Sequence, residues 1–254
     1  APRTLFTLTS DYQGVSSDLY EVIVVENGSS ELLGADAVAA IDKSFRYLFF
    51  SAKTASPAAA VNAAVREAKG SAVAILIDGA RMLSPGVVRY SLLALKAYRR
   101  PLISTLGCHL GHLPQQKSVL DGYDQKVEDA LLKSVDWQSN GYRLFEIASL
   151  AGSSKYGIFA PLAESNALIM SRQIFDELGG LDEQFISPGG GLVNLDFYQR
   201  AQLLPNIQLV TLLGEASFHQ VHGGVTTCAE DTWPLMAREY ESVRSKYFEP
   251  YPPP

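Results

Sequence analysis

The sequence predicts a single α/β domain, over residues 1–248, with a mostly parallel central sheet and helices on both faces. Apolar segments at residues 20–25, 72–77 and 102–106 have the composition of buried strands. Helical patterns with short connections separate them, and this alternation is typical of parallel sheets. With 254 residues, 47% of them apolar, the chain is long enough to bury a sizeable core.

Composition and charge argue against several functional classes. The formal net charge of −6 is opposite to the clustered Lys and Arg of a nucleic-acid-binding surface, so we expect no nucleic-acid partner. The apolar runs are far shorter than the ~20 residues that cross a bilayer, and no signal-peptide pattern is visible. We therefore expect no transmembrane segment and a cytoplasmic location.

The chain opens with a short amphipathic pattern and then a strand over residues 20–25. This strand ends in Glu26-Asn27, an acidic residue followed by turn formers. A second strand is expected over residues 45–50. Ser56-Pro57 then starts a helix with a clear apolar face, and Gly70 ends it.

The most informative stretch is residues 72–86. Its six apolar residues indicate a strand buried on both faces, which ends abruptly at Asp78 and Gly79. Ser84-Pro85 then starts a helix. Because the carboxyl ends of parallel strands meet at one edge of a sheet, Asp78 and Glu26 should converge there and could accept hydrogen bonds from a base or ribose. The alternative is that Asp78 only caps a turn.

The second half of the chain is less regular. We expect a helix over 118–134, strands over 142–150 and 165–170, a helix over 172–178, a glycine loop over 187–191, a helix over 195–201, a strand over 207–213, a loop over 218–224, a helix over 234–247 and a disordered tail over 249–254. The glycine loop does not follow a strand and is not a dinucleotide fingerprint.

The four histidines come in two pairs with the same spacing, His109 with His112 and His219 with His222. Such a pair is a weak metal signal when no carboxylate or cysteine lies nearby. Loop histidines can equally donate hydrogen bonds to a phosphate. No Gly-x-Ser-x-Gly elbow occurs, which argues against a serine hydrolase.

Five segments together resemble family 2-type glycosyltransferases with the GT-A fold. They are YEVIVVENGSS (20–30), NAAVREAKG (62–70), ILIDGARMLSP (75–85), ALIMSRQIFDELGGLDEQF (167–185) and LDFYQR (195–200). The match covers most of residues 20–224, and GGLDEQF after an apolar strand and a short helix is fairly specific.

The resemblance implies a nucleotide-sugar donor site formed by residues 20–106 and an acceptor side formed by residues 107–248. It points to Glu26, Asn62 and Asp78 as donor-binding residues. We expect Asn27, Gly79, Arg81 and His219 to bind the nucleotide sugar with them. Glu26 corresponds to the acidic residue that contacts the nucleobase, and Asp78 corresponds to the first residue of the Asp-x-Asp motif.

The chain also departs from the family pattern. Ala80 replaces the last carboxylate of Asp-x-Asp, which usually holds the metal, and Asn194 takes the place of the usual catalytic base. Asp196 is retained, and Asp196 or Glu164 could serve as the base. No segment corresponds to the family's first strand, which lies inside the sheet, so we expect that strand to be missing.

We therefore expect an inverting glycosyltransferase that uses a nucleotide-diphosphate sugar and a hydroxyl acceptor such as a growing glycan. Asp78 and His222 could hold Mg²⁺ or Mn²⁺, but with Ala80 in the motif the metal should be weak or dispensable. Arg81 could then neutralise the diphosphate. The alternative is a non-catalytic nucleotide-sugar-binding module, which Ala80 and Asn194 favour. Nucleotidyl transfer is a third reading, but the basic glycine-rich loop it requires is not found.

Overall fold

The computed structural model describes residues 1–29, 31–77, 79–164, 166–222 and 232–249. The α-helices in these residues are α1 (Pro2–Phe6), α2 (Ser10–Gln13), α3 (Ala35–Ile41), α4 (Ala58–Glu67), α5 (Val87–Ala97), α6 (Gln115–Ser118), α7 (Gln125–Ser134), α8 (Arg172–Glu177), α9 (Val193–Gln202) and α10 (Trp233–Arg244). Short 3-10 turns cover Gly141–Ile147, Gly152–Ser154, Gly157–Phe159 and Pro188–Gly190.

The strands form two separate sheets. They are β1 (Ile23–Asn27), β2 (Arg46–Phe50), β3 (Ala72–Leu76), β4 (Arg81–Leu83), β5 (Pro101–Leu110), β6 (Ala148–Leu150), β7 (Ala167–Ser171) and β8 (Gln208–His219). The central sheet has the order β3-β7-β5-β8-β4, with β6 also paired to β5, whereas β1 and β2 pair only with each other.

The α/β architecture is as predicted, but the strand directions correct the expectation of mostly parallel pairing. In the described part of the central sheet only β5 and β8 pair in parallel, and the other pairings are antiparallel. Strands β3, β5 and β8 do share one direction. Strand β4, at the other end of the sheet from β3, runs in the opposite direction, since it pairs antiparallel with β8.

Helices cover both faces of the central sheet, as the sequence predicts. Helices α4, α8, α9 and α10 pack on one face, in a core that includes Leu102, Leu168 and Met170. Helix α5 packs on the other face, against Ile103 and Ile169. Neighbouring residues of β5 and β7 therefore point into different cores, as the alternation of a strand requires.

The two predicted halves of the chain share this one sheet. The boundary at residues 106–107 falls inside β5, the most thoroughly buried strand of the sheet. At the end of the chain, the Glu249 carbonyl accepts a hydrogen bond from Gln199 Nε2 (2.5 Å), and the rest of the predicted disordered tail lies outside the described residues. No helix in the described part of the chain is long and apolar enough to span a membrane.

Candidate functional site

The ends of several strands meet at one edge of the central sheet. Strand β3 ends at Leu76, and Ala167, where β7 begins, is its register partner. Strand β8 ends at His219, opposite Arg81, where β4 begins. The antiparallel register therefore brings the loop that contains Asp78 and the segment just before β7 to the same edge. Asp78 itself lies outside the described residues.

Three of the basic side chains at this edge occupy neighbouring strands. His219 of β8 is the register partner of Arg81 on one side and of His109 on the other. The rings of His109 and His219 are 5.5 Å apart between centroids. Burial, followed by the charges of His219 and Arg81, lowers the pKa of His109 to about 3. His109 is therefore neutral at pH 7, and Arg81 is the permanent positive charge of the trio.

The buried Gln115 at the start of α6 fixes the orientation of both imidazoles. Its backbone N–H donates to His109 Nδ1 (2.8 Å), so the proton of neutral His109 is on Nε2. Its side-chain Nε2 donates to the His219 carbonyl (3.0 Å), which turns its Oε1 towards His219 Nδ1 (2.5 Å). His219 Nδ1 is consequently the donor in that bond.

This arrangement leaves the Nε2 atom of neutral His219 as a hydrogen-bond acceptor. His222 Nε2 lies 3.1 Å from it and must then be the donor. The two Nε2 atoms thus converge on one point beside Arg81, with one ring held from behind by Gln115. If His222 turns its Nε2–H towards a ligand, this point suits an anionic oxygen. If the Nε2 atoms of both rings are unprotonated, it suits a metal ion instead.

A buried carboxylate holds the backbone next to His222. Glu128 Oε2 on α7 accepts a hydrogen bond from the Val221 N–H (2.7 Å). Burial raises the pKa of Glu128 to about 7, against the opposing effects of that hydrogen bond and of Arg3, whose Nη1 is 3.7 Å away. The segment that carries His222 is therefore tied to a group that titrates near neutral pH.

Asp196 is fully occupied by two arginines. It is 2% exposed, and it accepts hydrogen bonds from Arg200 Nε (2.8 Å) and from Arg244 through both Nε (2.6 Å) and Nη2 (2.7 Å). Arg244 also pairs with Asp182 (2.8 Å). This network joins α9 to α10, and a carboxylate so engaged is poorly suited to take a proton from an acceptor.

The two other predicted catalytic residues differ in what they can do. Asn194 lies in the first turn of α9 and is partly exposed, and its amide cannot act as a base. Glu164 is also partly exposed and precedes β7, whose first residue pairs with the end of β3. Of the carboxylates proposed as the base, Glu164 is thus the one that the topology brings to the shared edge.

The predicted donor residues of the first half are engaged within the protein. Glu26 accepts hydrogen bonds from the Ser29 hydroxyl (2.5 Å) and the Leu33 N–H (3.0 Å). Asn27 Nδ2 donates to the Ser56 carbonyl (3.1 Å). Both lie on β1, in the separate two-stranded sheet. Glu26 therefore does not end a strand of the central sheet, which corrects the expectation that Glu26 and Asp78 follow parallel strands at one edge of the same sheet.

Asn62 and Gly79 also have partners. Asn62 bonds both backbone groups of Leu181 and the Glu183 carboxylate, at 2.8–2.9 Å. The Gly79 carbonyl accepts a hydrogen bond from the Thr4 hydroxyl (2.8 Å). Of the predicted donor set, the described residues that the structure brings together are Arg81 and His219.

Sequence reasoning missed Gln115, Glu128 and Glu215. Glu215 is buried in β8 and accepts hydrogen bonds from Tyr142 (2.8 Å) and the Gly86 N–H (3.0 Å), which fixes the start of α5. A lone acid in the apolar run of β8 was a usable signal for Glu215. Gln115 gave no such signal, because one of the two histidines that it contacts, His219, lies 104 positions along the chain.

Comparisons with known proteins give structural matches only. No family model matches the sequence, and no curated protein matches it. TarS from S. aureus in complex with UDP superposes with a TM-score of 0.56 and 13% identity over 94% of this chain and 61% of that one. The complex of TarS with UDP-GlcNAc gives a TM-score of 0.52 and 12% identity over 92% and 61%.

A third match is the mannosyltransferase PcManGT from Pyrobaculum calidifontis in complex with GDP-Man and Mn²⁺. Its TM-score is 0.53, with 15% identity over 98% of this chain and 63% of that one. The chain thus spans about three fifths of the length of these structures. At such low identity the likeness establishes the fold, which is GT-A-like.

Proposed function

We propose that the chain transfers a sugar from a nucleotide-diphosphate sugar to an acceptor hydroxyl, with inversion at the anomeric carbon. The observation that carries the proposal is the juxtaposition of Arg81, His109 and His219 at the edge that also receives the Asp78 loop. A departing diphosphate requires a permanent cation, here Arg81, with hydrogen-bond donors beside it, here the Nε2–H groups of His109 and His222.

The proposed reaction is a single displacement. The acceptor oxygen bonds to the anomeric carbon, the bond from that carbon to the diphosphate oxygen breaks, and its electron pair leaves on the diphosphate. Arg81 stabilises the developing negative charge, and His222 donates a hydrogen bond. Glu164 receives the acceptor proton. We assign Asp196 instead to the joint between α9 and α10, because three hydrogen bonds from arginine already hold it.

The described residues do not fit a complete metal site. No group of three or more His, Cys, Asp or Glu side chains within the described ranges is arranged to hold an ion. His219 and His222 bring two nitrogens together, whereas Mg²⁺ and Mn²⁺ prefer oxygen ligands. Asp78 could add a carboxylate, but Ala80 cannot. We therefore propose that donor binding is largely independent of a metal.

A non-catalytic nucleotide-sugar-binding module is the second candidate. Asn194 in the position of the usual base and the engagement of Asp196 favour it. It predicts the same donor binding without turnover, so binding and turnover must be measured separately.

The decisive binding experiment is calorimetry with UDP-GlcNAc and GDP-Man, in excess EDTA and with added Mn²⁺. We expect wild type to bind one of these donors under both conditions. Arg81→Ala should weaken binding by roughly 10- to 100-fold, because hydrogen bonds to charged groups contribute about 1.5–3 kcal/mol. Arg66→Ala, which removes an exposed arginine of α4, is the control and should bind normally.

Turnover of the donor that binds, measured as transfer or hydrolysis, then separates the two candidates. Glu164→Gln should lower the rate by about 10²-fold or more without changing donor affinity. Donor binding without turnover in wild type would favour the module. Absence of binding to any nucleotide sugar would overturn both candidates. Binding that requires Mn²⁺ and persists in Arg81→Ala would show that a metal, rather than Arg81, neutralises the diphosphate.

A further inference from the structure

Helix α5 presents an apolar stripe to solvent. Tyr90, Leu93 and Ala97 follow one another at the spacing of a single helix face, while Val87, Ser91 and Ala94 of the same helix are buried. Leu93 is 52% exposed. Thr211 and Leu213 of β8 line the other side of the open groove along this stripe, and Leu213 is 68% exposed.

Cations border this stripe. Arg89 and Lys96 are exposed one turn on either side of Leu93, and Arg99 is exposed just beyond the helix. The Arg89 guanidinium lies over the Tyr90 ring, 5.9 Å from its centroid. None of the three forms an ion pair within the described part of the chain.

The charge around the stripe contrasts with that of the chain. Residues 87–99, which are α5 and the two residues after it, contain three Lys and Arg residues and no Asp or Glu, although the whole chain carries a net charge of −6. The α5 face is thus a basic and apolar surface on an otherwise acidic protein. An occupant must therefore supply negative charge and accept leucine and tyrosine side chains.

We propose that the α5 face, formed by Tyr90, Leu93, Ala97 and Leu213 with Arg89, Lys96 and Arg99, docks on an anionic membrane surface. Leucines that enter the acyl boundary, tyrosine at headgroup depth and cations against lipid phosphates are the combination that interfacial helices use. A second copy is a poorer occupant, because a twofold contact would bring this cationic rim close to its own copy. The inference does not depend on the proposed transferase activity.

The test is co-sedimentation with vesicles of phosphatidylglycerol and phosphatidylcholine, compared with pure phosphatidylcholine. We expect binding to the anionic vesicles that weakens as salt is raised. The triple variant Arg89→Gln/Lys96→Gln/Arg99→Gln should reduce partitioning by roughly 100-fold, since each surface cation contributes about fivefold. Leu93→Asp/Leu213→Asp should reduce it by at least about tenfold, because it removes both apolar anchors.

Matched controls come from other parts of the surface. Lys43→Gln/Lys53→Gln/Arg66→Gln makes the same change in net charge at exposed positions before β3. Leu235→Asp alters a leucine that is 60% exposed on α10, on the opposite face of the sheet. Both should bind like wild type, and all variants should keep the wild-type melting temperature because the altered side chains are exposed.

Three results would overturn the proposal. The first is wild-type binding to anionic vesicles that is no stronger than to phosphatidylcholine. The second is an equal loss of binding in the control variants, which would indicate a nonspecific charge effect. The third is a dimer of the wild type, seen by sedimentation velocity, that Leu93→Asp dissociates, which would make a second copy the occupant.

Discussion

Glu128 has an unusual position for a carboxylate, because it is buried at the base of the segment that carries His222. Its neighbours are the Val221 N–H, the Tyr123 hydroxyl at 3.5 Å, Arg3 and Asp129. Burial raises its pKa from 4.5 to about 7, so the folded protein retains a proton that the unfolded chain loses above pH 4.5. The stability that this proton provides is therefore present below about pH 4.5 and is lost as pH rises through 7.

Replacing Glu128 with glutamine should remove this loss. Glu128→Gln keeps an oxygen for the Val221 N–H and never ionises, so the variant should exceed wild type in unfolding free energy by roughly 1–3 kcal/mol at pH 8 and match it near pH 4.5. Chemical denaturation across this range is the measurement, with Glu31→Gln as an exposed control. Equal pH dependence of Glu128→Gln and wild type would contradict the prediction.

The histidines show which contacts of the site could be predicted from the sequence and which could not. The spacing of the histidines groups His109 with His112 and His219 with His222, and the second contact exists. The pairing of His109 with His219 arises from the parallel register of β5 and β8, which joins residues 110 positions apart. No local pattern encodes that register. The sequence could therefore predict basic groups for a diphosphate but not the role of Gln115 that orients them.

At the scale of elements, Asn62 connects α4 to the turn after α8. Its amide satisfies both backbone groups of Leu181 and reaches Glu183. Arg200 reinforces the same turn by donating to the carbonyls of Leu178 (2.9 Å) and Gly180 (3.2 Å). The GGLDEQF motif that carries the family resemblance is therefore held in place by side chains from two helices.

Asn62→Ala should destabilise the fold more than it weakens donor binding. The substitution leaves buried backbone groups of Leu181 without partners, which should cost about 2–3 kcal/mol of unfolding free energy. Asn194→Ala, which alters a partly exposed asparagine in α9, should cost less than about 0.5 kcal/mol. A stable Asn62→Ala variant that loses donor affinity would instead support the role that the resemblance gives this residue.

Element prediction succeeded where the apolar pattern is continuous and failed where polar residues interrupt it. Strand β3 and helix α8 match their predicted ranges within about two residues. Strand β5 continues through Gly107 and His109, which look like a loop in the sequence. The strand predicted over residues 142–150 is mostly a 3-10 turn, with β6 only at its end. In these cases the sheet, rather than local propensity, determines the backbone.

At the scale of the whole molecule, the two sheets should differ in stability. The central sheet is covered by helices on both faces and contains the almost fully buried β5. Strands β1 and β2 are at best half-buried throughout and pack on a small separate cluster around Leu5, Val38 and Phe45. Regions with few buried apolar contacts open by local unfolding at lower free energy than the core.

Native-state hydrogen exchange can measure this difference and can also test the donor site. Amides of β1 should exchange with an opening free energy that is about 2 kcal/mol or more below that of the Leu102 and Ile103 amides in β5.

If Glu26 contacts the nucleobase, a donor at a hundredfold its dissociation constant should slow β1 exchange by up to about 100-fold, since it adds roughly 2.7 kcal/mol to the free energy of any opening that abolishes binding. Glu26→Gln should reduce that protection while Glu31→Gln leaves it intact. The opposite result would be a donor that slows exchange near Arg81 without slowing it in β1. Local opening of β1 would then leave the donor bound, and the nucleobase would lie away from Glu26.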